Sequence, residues 1–199
     1  MSEPNASPAG ISAREHLRDA LLRGDRGAAE ALAGSAPFQA LIQWKNELLR
    51  ELTAGYLAGR TPFCQLTAAA QAACAFYEDA PPIACCGGAA GSATGQQFML
   101  MLLRAWGIPA LALGEDASAD EYLLAIREHG LRFAVCVLFS PDDLADIESL
   151  AAAARQRGMR DSFRLVICGA RLEGAAQDVD FYDHRAAAAA QWMENAWRS

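Results

Sequence analysis

The side chains with most chemical promise stand where an apolar run meets a stretch without bulk. Cys85-Cys86 directly precede Gly87-Gly88-Ala89-Ala90-Gly91-Ser92-Ala93-Thr94-Gly95. Four glycines, three alanines and two hydroxyls let a ligand approach backbone N–H groups and the N-terminus of the helix that follows. The spacing fails the G-x-G-x-x-G dinucleotide fingerprint. It also fails the phosphate-binding loop, because Gln96-Gln97 follow Gly95 where Lys-Ser/Thr is required. A tight strand-to-helix connector is the plain alternative, although nine residues exceed what such a connection usually needs. Cys85, Cys86 and, at the end of a later apolar run, Cys168 offer a thiolate metal ligand or a redox pair, with burial as small hydrophobes the competing reading. Adjacent cysteines bridge poorly with each other. His184 follows Phe181-Tyr182-Asp183, where it either faces a ligand crevice or sits on the surface in a turn capped by Asp183. Cys85, Cys86 and His184 are therefore the metal-ligand candidates, and the metal itself is unassigned. The sequence shows no C-x-x-C, zinc-type spacing, Ser-His-Asp order or H-E-x-x-H. No independent catalytic activity is expected, which leaves room for an accessory role beside an enzyme.

The elements that must position these groups change character along the chain. Helical periodicity runs from about residue 12 to residue 79: Leu17, Ala20, Leu21 and Leu22, then Leu41, Trp44, Leu48, Leu52 and Tyr56 in a helix over 38–57, then an Ala-rich helix over 65–77. Gly59-Arg60-Thr61-Pro62 and Asp79-Ala80-Pro81-Pro82 break the pattern. From residue 83, short apolar runs over 83–86, 110–113, 133–139, 164–168 and 179–182 read as strands. Runs as continuous as Ala134-Val135-Cys136-Val137-Leu138-Phe139 suit parallel strands covered on both faces. Ser118 with Glu121 forms a capping box, Ser140-Pro141 starts a helix, and Gly107, Gly130 and Gly158 sit where helices stop. Strand–helix alternation of this kind predicts an α/β doubly wound parallel sheet in the order 2-1-3-4-5. The expected division is a flexible N-terminus (1–11), a small all-α helical cap (12–79), a linker (80–82) and a flavodoxin-like domain (83–199).

Composition narrows the partners. The 199 residues carry 17 Lys+Arg against 24 Asp+Glu, a net charge of -7, and the basic residues are scattered. That argues against direct nucleic-acid binding and against an anionic membrane surface, which both need a basic face. No apolar run approaches the ~20 residues of a membrane span, and the first ten residues lack the charged and apolar regions of a signal peptide. A cytoplasmic protein with free thiols is the expectation. The oligomeric state has no sequence signal.

Gly95-Gln96-Gln97-Phe98-Met99-Leu100-Met101-Leu102-Leu103-Arg104-Ala105-Trp106-Gly107-Ile108-Pro109 resembles the first helix of cobalamin-binding domains. Ala112-Leu113-Gly114-Glu115-Asp116, Glu121-Tyr122 and Arg127-Glu128-His129 follow in the order of that family. In the first half, Ala20-Leu21-Leu22-Arg23-Gly24-Asp25 and Tyr56-Leu57-Ala58-Gly59-Arg60 resemble the helical cap of methyltransferase corrinoid proteins. The likeness covers residues 15–196. It implies a cobalamin-binding type of fold with cobalamin or another tetrapyrrole as cofactor, and a tetrapyrrole or a protein as partner.

The departures are specific. The D-x-H-x-x-G motif of that family places a histidine under the cobalt and an aspartate behind it, and those positions are Ser92 and Ala90 here; Gly95 alone survives. The serine and leucine at the third strand end correspond to Val137 and Phe139, and the paired glycines after the fourth strand to Cys168-Gly169. The resemblance therefore implies a divergent corrinoid- or tetrapyrrole-binding module, sensor or carrier, without the cobalt-ligating histidine, its nucleotide groove narrowed by Phe139 and Cys168. A methyl-carrying corrinoid subunit of a methyltransferase system, and a ligandless regulatory interaction module, are the alternatives. In an open parallel sheet ligands sit beyond the strands' carboxyl ends, where strand order reverses. The expected cofactor-binding rim is Gly88, Gly91, Ser92, Thr94 and Gly95, with Phe139, Ser140, Gly169 and Tyr56 of the cap around it.

Overall fold

The computed structural model describes residues 8–172 and 178–198. The chain divides into two compact units, one taking residues up to Glu78 together with Ala105–Gly107, the other taking the remainder. Among the described residues no helix is long and apolar enough to cross a membrane.

The helical unit is built from α1 (Pro8–Arg23), α2 (Arg26–Ala31), α3 (Phe38–Leu57) and α4 (Phe63–Ala73). α1 begins at Pro8, so residues 8–11 of the expected N-terminal segment are helical, while residues 1–7 lie outside the described residues. α2 is an addition to the three helices expected. Asp25 caps it, its carboxylate accepting from Ala28 N at 2.9 Å. Leu17, Leu21, Leu41, Leu49 and Leu66 are buried with Ala69, Ala70, Ala72 and Ala73. The small α4 face lets α1 approach so closely that a Cβ on Gly24, at φ +69°, would lie 3.1 Å from Ala68 Cβ. α1 and α3 are also joined by Arg14–Glu47 and Arg18–Glu51 ion pairs, each at 2.9 Å; such exposed pairs contribute ~0–1 kcal/mol each.

The second unit carries five parallel strands: β1 (Ala84–Gly88), β2 (Ala110–Glu115), β3 (Phe133–Val137), β4 (Arg164–Cys168) and β5 (Phe181–Tyr182). They pair in the order β2-β1-β3-β4-β5, all parallel, as the alternation predicts. α5 (Ala93–Trp106), α6 (Ala119–His129), α7 (Leu144–Gln156) and α8 (Ala186–Arg198) alternate with them. One sheet face, with Cys85, Ala134, Cys136, Leu165 and Ile167, packs against Tyr122, Leu123 and Ile126 of α6 and Ile147, Leu150 and Ala154 of α7. On the other face Phe133 meets Trp192 of α8 edge-on at 6.4 Å, and Trp192 stacks on Phe181 at 5.0 Å. Both faces are thus covered, which is why the strand sequences read as unbroken apolar runs. The punctuation is read correctly: Ser118 and Glu121 form a capping box, and Gly130 closes α6 in the left-handed region. Ser140 and Asp143 cap the turn Pro141–Asp143 that leads into α7.

Three of the boundaries that differ from the sequence reading reshape the candidate site. β1 runs on through Gly87-Gly88, and α5 starts at Ala93. The glycine-rich connection is therefore Ala89-Ala90-Gly91-Ser92, well short of the nine residues expected. Glycines disfavour strands in isolation, but Gly87 and Gly88 are held by pairing to both neighbours, Cys136 and Val137 on β3 and Gly114 and Glu115 on β2. β3 also stops at Val137, so Phe139 stands beyond the sheet.

Candidate functional site

At the carboxyl ends of β1 and β3 the connection Ala89–Ser92 spends its backbone donors on the protein itself. Ala89 N donates to Val137 O at 3.1 Å, Ser92 N to Ala89 O at 3.0 Å, and Gly91 N to the Glu115 carboxylate at 3.0 Å. These amides were the donors expected for a ligand; Glu115 in particular occupies one of them with its side chain. Gln96, buried in the first turns of α5, ties the helix to the strands by donating to Cys86 O at 2.8 Å and Gly114 O at 3.1 Å. Glu115 and Gln96 were missed as site residues. Gln96 was legible only as a mismatch to the phosphate-loop pattern, and Glu115 carries no local signal because its partner lies 24 residues away.

The glycines are also consumed by neighbours. A Cβ on Gly88 would lie 1.9 Å from Ser92 Oγ, one on Gly95 would lie 3.0 Å from Val137 Cγ1, and one on Gly169, at φ +107°, would lie 2.2 Å from Leu138 O. On β1, Gly87 makes room for the Tyr122 ring, whose hydroxyl donates to Val135 O at 3.0 Å. Gly91 alone opens outward, at φ +84°, with the Phe139 ring 3.7 Å from where its Cβ would be. Phe139 is 68% exposed. Its ring lies beside the connection, and its backbone N donates to Asp143 at 2.8 Å.

Ser92 is 4% exposed, and its Oγ has no hydrogen-bond partner. Thr94 is exposed on the first turn of α5, and Gly95 is helical rather than the start of the helix. Ser140 accepts from Asp142 N and caps the turn after β3. Gly169 N donates to His184 O at 3.3 Å, which joins the ends of β4 and β5. Tyr56 belongs to the helical unit, where its ring lies 5.8 Å from that of Phe63.

The metal-ligand candidates are not gathered. Cys85 and Cys86 are fully buried neighbours on a strand, so their side chains take opposite faces. Burial raises both thiols far above the ordinary range, and it pushes Cys136 and Cys168 up to about 12. A thiol held protonated is neither a ready ligand nor a nucleophile. His184 is part-exposed, its Nδ1 3.5 Å from Asp183 Oδ1; the Asp183 carboxylate is held below its usual value by its hydrogen bond with Arg185. Among the described residues no three His, Cys, Asp or Glu side chains converge on a metal-sized site.

A corrinoid held by an imidazole from below, with its nucleotide tail buried, does not fit these residues. Ser92, which the resemblance puts under the metal, is buried and packed on Gly88, and Cys168, which it puts beside the nucleotide groove, is fully buried in β4.

No protein-family model matches the sequence, and no curated protein matches it either. Solved structures do. A cobalamin-binding protein from Desulfitobacterium hafniense DCB-2 superposes with a TM-score of 0.73 at 14% identity, covering 93% of this chain and 97% of that one. The methanol:cobalamin methyltransferase complex from Methanosarcina barkeri matches with a TM-score of 0.71 at 14% identity, over 99% of this chain and 87% of that one. The monomethylamine corrinoid protein of Methanosarcina barkeri gives a TM-score of 0.51 at 17% identity, over 94% and 99%. The chain has the fold of these cobalamin-binding and corrinoid proteins.

Proposed function

We propose that this chain is a divergent binding module of the corrinoid-protein fold, a sensor or carrier that takes a flat tetrapyrrole against the carboxyl-end rim of its sheet and supplies no metal ligand from the loop after β1. The observation that carries the reading is the rim itself. Phe139 is 68% exposed and stands beside Gly91 and the small Ala89-Ala90, an apolar platform in the crevice where open parallel sheets bind ligands. An exposed aromatic ring with bare backbone beside it suits a planar macrocycle, which stacks on the ring. Ser92 lies below this surface and contributes packing, not coordination. No group-transfer step is assigned to the module.

Titration of the purified chain with aquocobalamin and with haemin, followed by visible absorption, tests the proposal. A saturable shift that Phe139→Ala removes, at unchanged melting temperature, supports it; absence of any shift with either pigment overturns it. A second reading, a regulatory module that keeps the fold without a ligand, is favoured by the way Gly88, Gly95 and Gly169 are filled by contacts within the unit. The same titration separates the two.

A further inference from the structure

A cavity of about 380 Å³ opens on the α6–α7 face of the sheet at the carboxyl ends of β1 and β3. It adjoins the Phe139 platform at Ala89 and opens away from Phe139, which does not line it. We propose that it is a binding site for a small organic cation, an ammonium group carried on an apolar body. Its place is the point where the connections after β1 and β3 leave to opposite faces, the crevice in which this topology binds small molecules. Its volume falls in the ~300–1,000 Å³ range of small-molecule sites.

The lining divides in two. Tyr122, Leu138, Ile147 and Leu150 form a buried, largely apolar floor. The Tyr122 hydroxyl is occupied by Val135 O, and burial holds its pKa well above normal, so the floor is neutral. Asp116, Asp143 and Asp146 stand among the other lining residues, and among the described residues no lysine, arginine or histidine lines the cavity. Asp143 is fixed by Phe139 N and Ser140 N at 2.8 and 2.7 Å. Asp116 is held by its own N–H on Gly88 O at 2.7 Å, in a left-handed conformation at φ +57°. Such a conformation is uncommon for a residue with a side chain.

Helix N-termini nearby would ordinarily invite an anion. Here the chain has filled them itself: Glu121 accepts from Ser118 N at 2.7 Å, and Asp143 occupies the amides before α7. An anion would meet three aspartates and, among the described residues, no cationic side chain. A cation finds up to three of them, with an apolar wall to desolvate its body.

The test titrates the full chain with phenethylammonium and with its neutral counterpart 2-phenylethanol, following amide shifts by NMR. Saturable binding of the ammonium, with shifts centred on Tyr122, Leu138, Ile147 and Ser149 and an affinity at least about fivefold above that of the alcohol, is the expected result. Asp146→Asn should weaken the ammonium about fivefold and leave the alcohol unchanged. Ser149→Trp, an exposed lining position, should abolish both without lowering the melting temperature. Equal affinities, shifts centred elsewhere, or no saturable binding in the millimolar range would overturn the proposal. Phe139→Ala, which removes the ring of the platform and touches no lining side chain, should leave ammonium binding intact, so failure of one site is read separately from failure of the other.

Discussion

The pairing of Gly88 with Ser92 can be tested by a double-mutant cycle. In the native chain Ser92 Oγ occupies the space that a Cβ at Gly88 would need, 1.9 Å from that position, while Val137 O and Ser92 Cβ stand at 3.0 and 3.1 Å. Gly88→Ala alone must therefore push Ser92 aside, an overpacking cost of ~1–3 kcal/mol. Ser92→Ala alone removes a buried hydroxyl with no partner. It forfeits a little packing and recovers part of a ~1–3 kcal/mol desolvation penalty, so the net change is between neutral and about 1 kcal/mol stabilising. In the double variant the closest clash is gone and the two contacts near 3 Å remain. The substitutions should therefore couple by ~1–2 kcal/mol, with the pair less damaging than the sum. Urea unfolding followed by far-UV dichroism and tryptophan fluorescence reads this as a recovery of roughly 0.5–1 M in midpoint. Additivity within ~0.5 kcal/mol would refute the packing argument. A Ser92→Ala variant destabilised by more than ~1 kcal/mol would show that the hydroxyl has a partner. The rim would then have to be reconsidered as a polar site.

The thiols and the Asp183 turn give two more tests. Under native conditions iodoacetamide at pH 8 should modify Cys64, which is exposed, then Cys74 more slowly, and leave Cys85, Cys86, Cys136 and Cys168 unlabelled until the chain is unfolded; mass spectrometry counts the adducts, and rapid native labelling of Cys86 or Cys168 would contradict their burial. Asp183 is held below the usual carboxylate value by its hydrogen bond with Arg185. Its contribution is therefore present above the unfolded value near pH ~4 and is lost as pH falls through the lower folded value. Asp183→Asn should be less stable than the native chain at pH 7 and equal to it at the acid end of a pH series of urea midpoints; a constant difference across the series would refute the linkage.

Much of this architecture is written locally. Ser118 with Glu121, Ser140-Pro141 and the glycines at 107, 130 and 158 set helix ends through contacts within a turn, so they are legible from a few consecutive residues. The unbroken apolar runs reported strands covered on both faces, and their alternation with helices limited the connections to one handedness and the strand order to a few. That residues 87–95 contain no histidine was equally plain.

The state of the glycines was decided elsewhere. Composition marks Gly87 to Gly95 as a stretch with space, but not whether a ligand or the protein fills it. Gly87 is filled by Tyr122, Gly88 by Ser92 and Gly95 by Val137; two of these partners lie more than thirty residues away, and no local rule connects them. Strand pairing from both sides drew Gly87 and Gly88 into β1 against their intrinsic preference, so the connection shortened and its amides turned inward. The two nearby openings, the Phe139 platform and the cavity between α6 and α7, arise for the same reason. A surface or void is made by elements distant in sequence, and its shape exists only once the sheet has set their register.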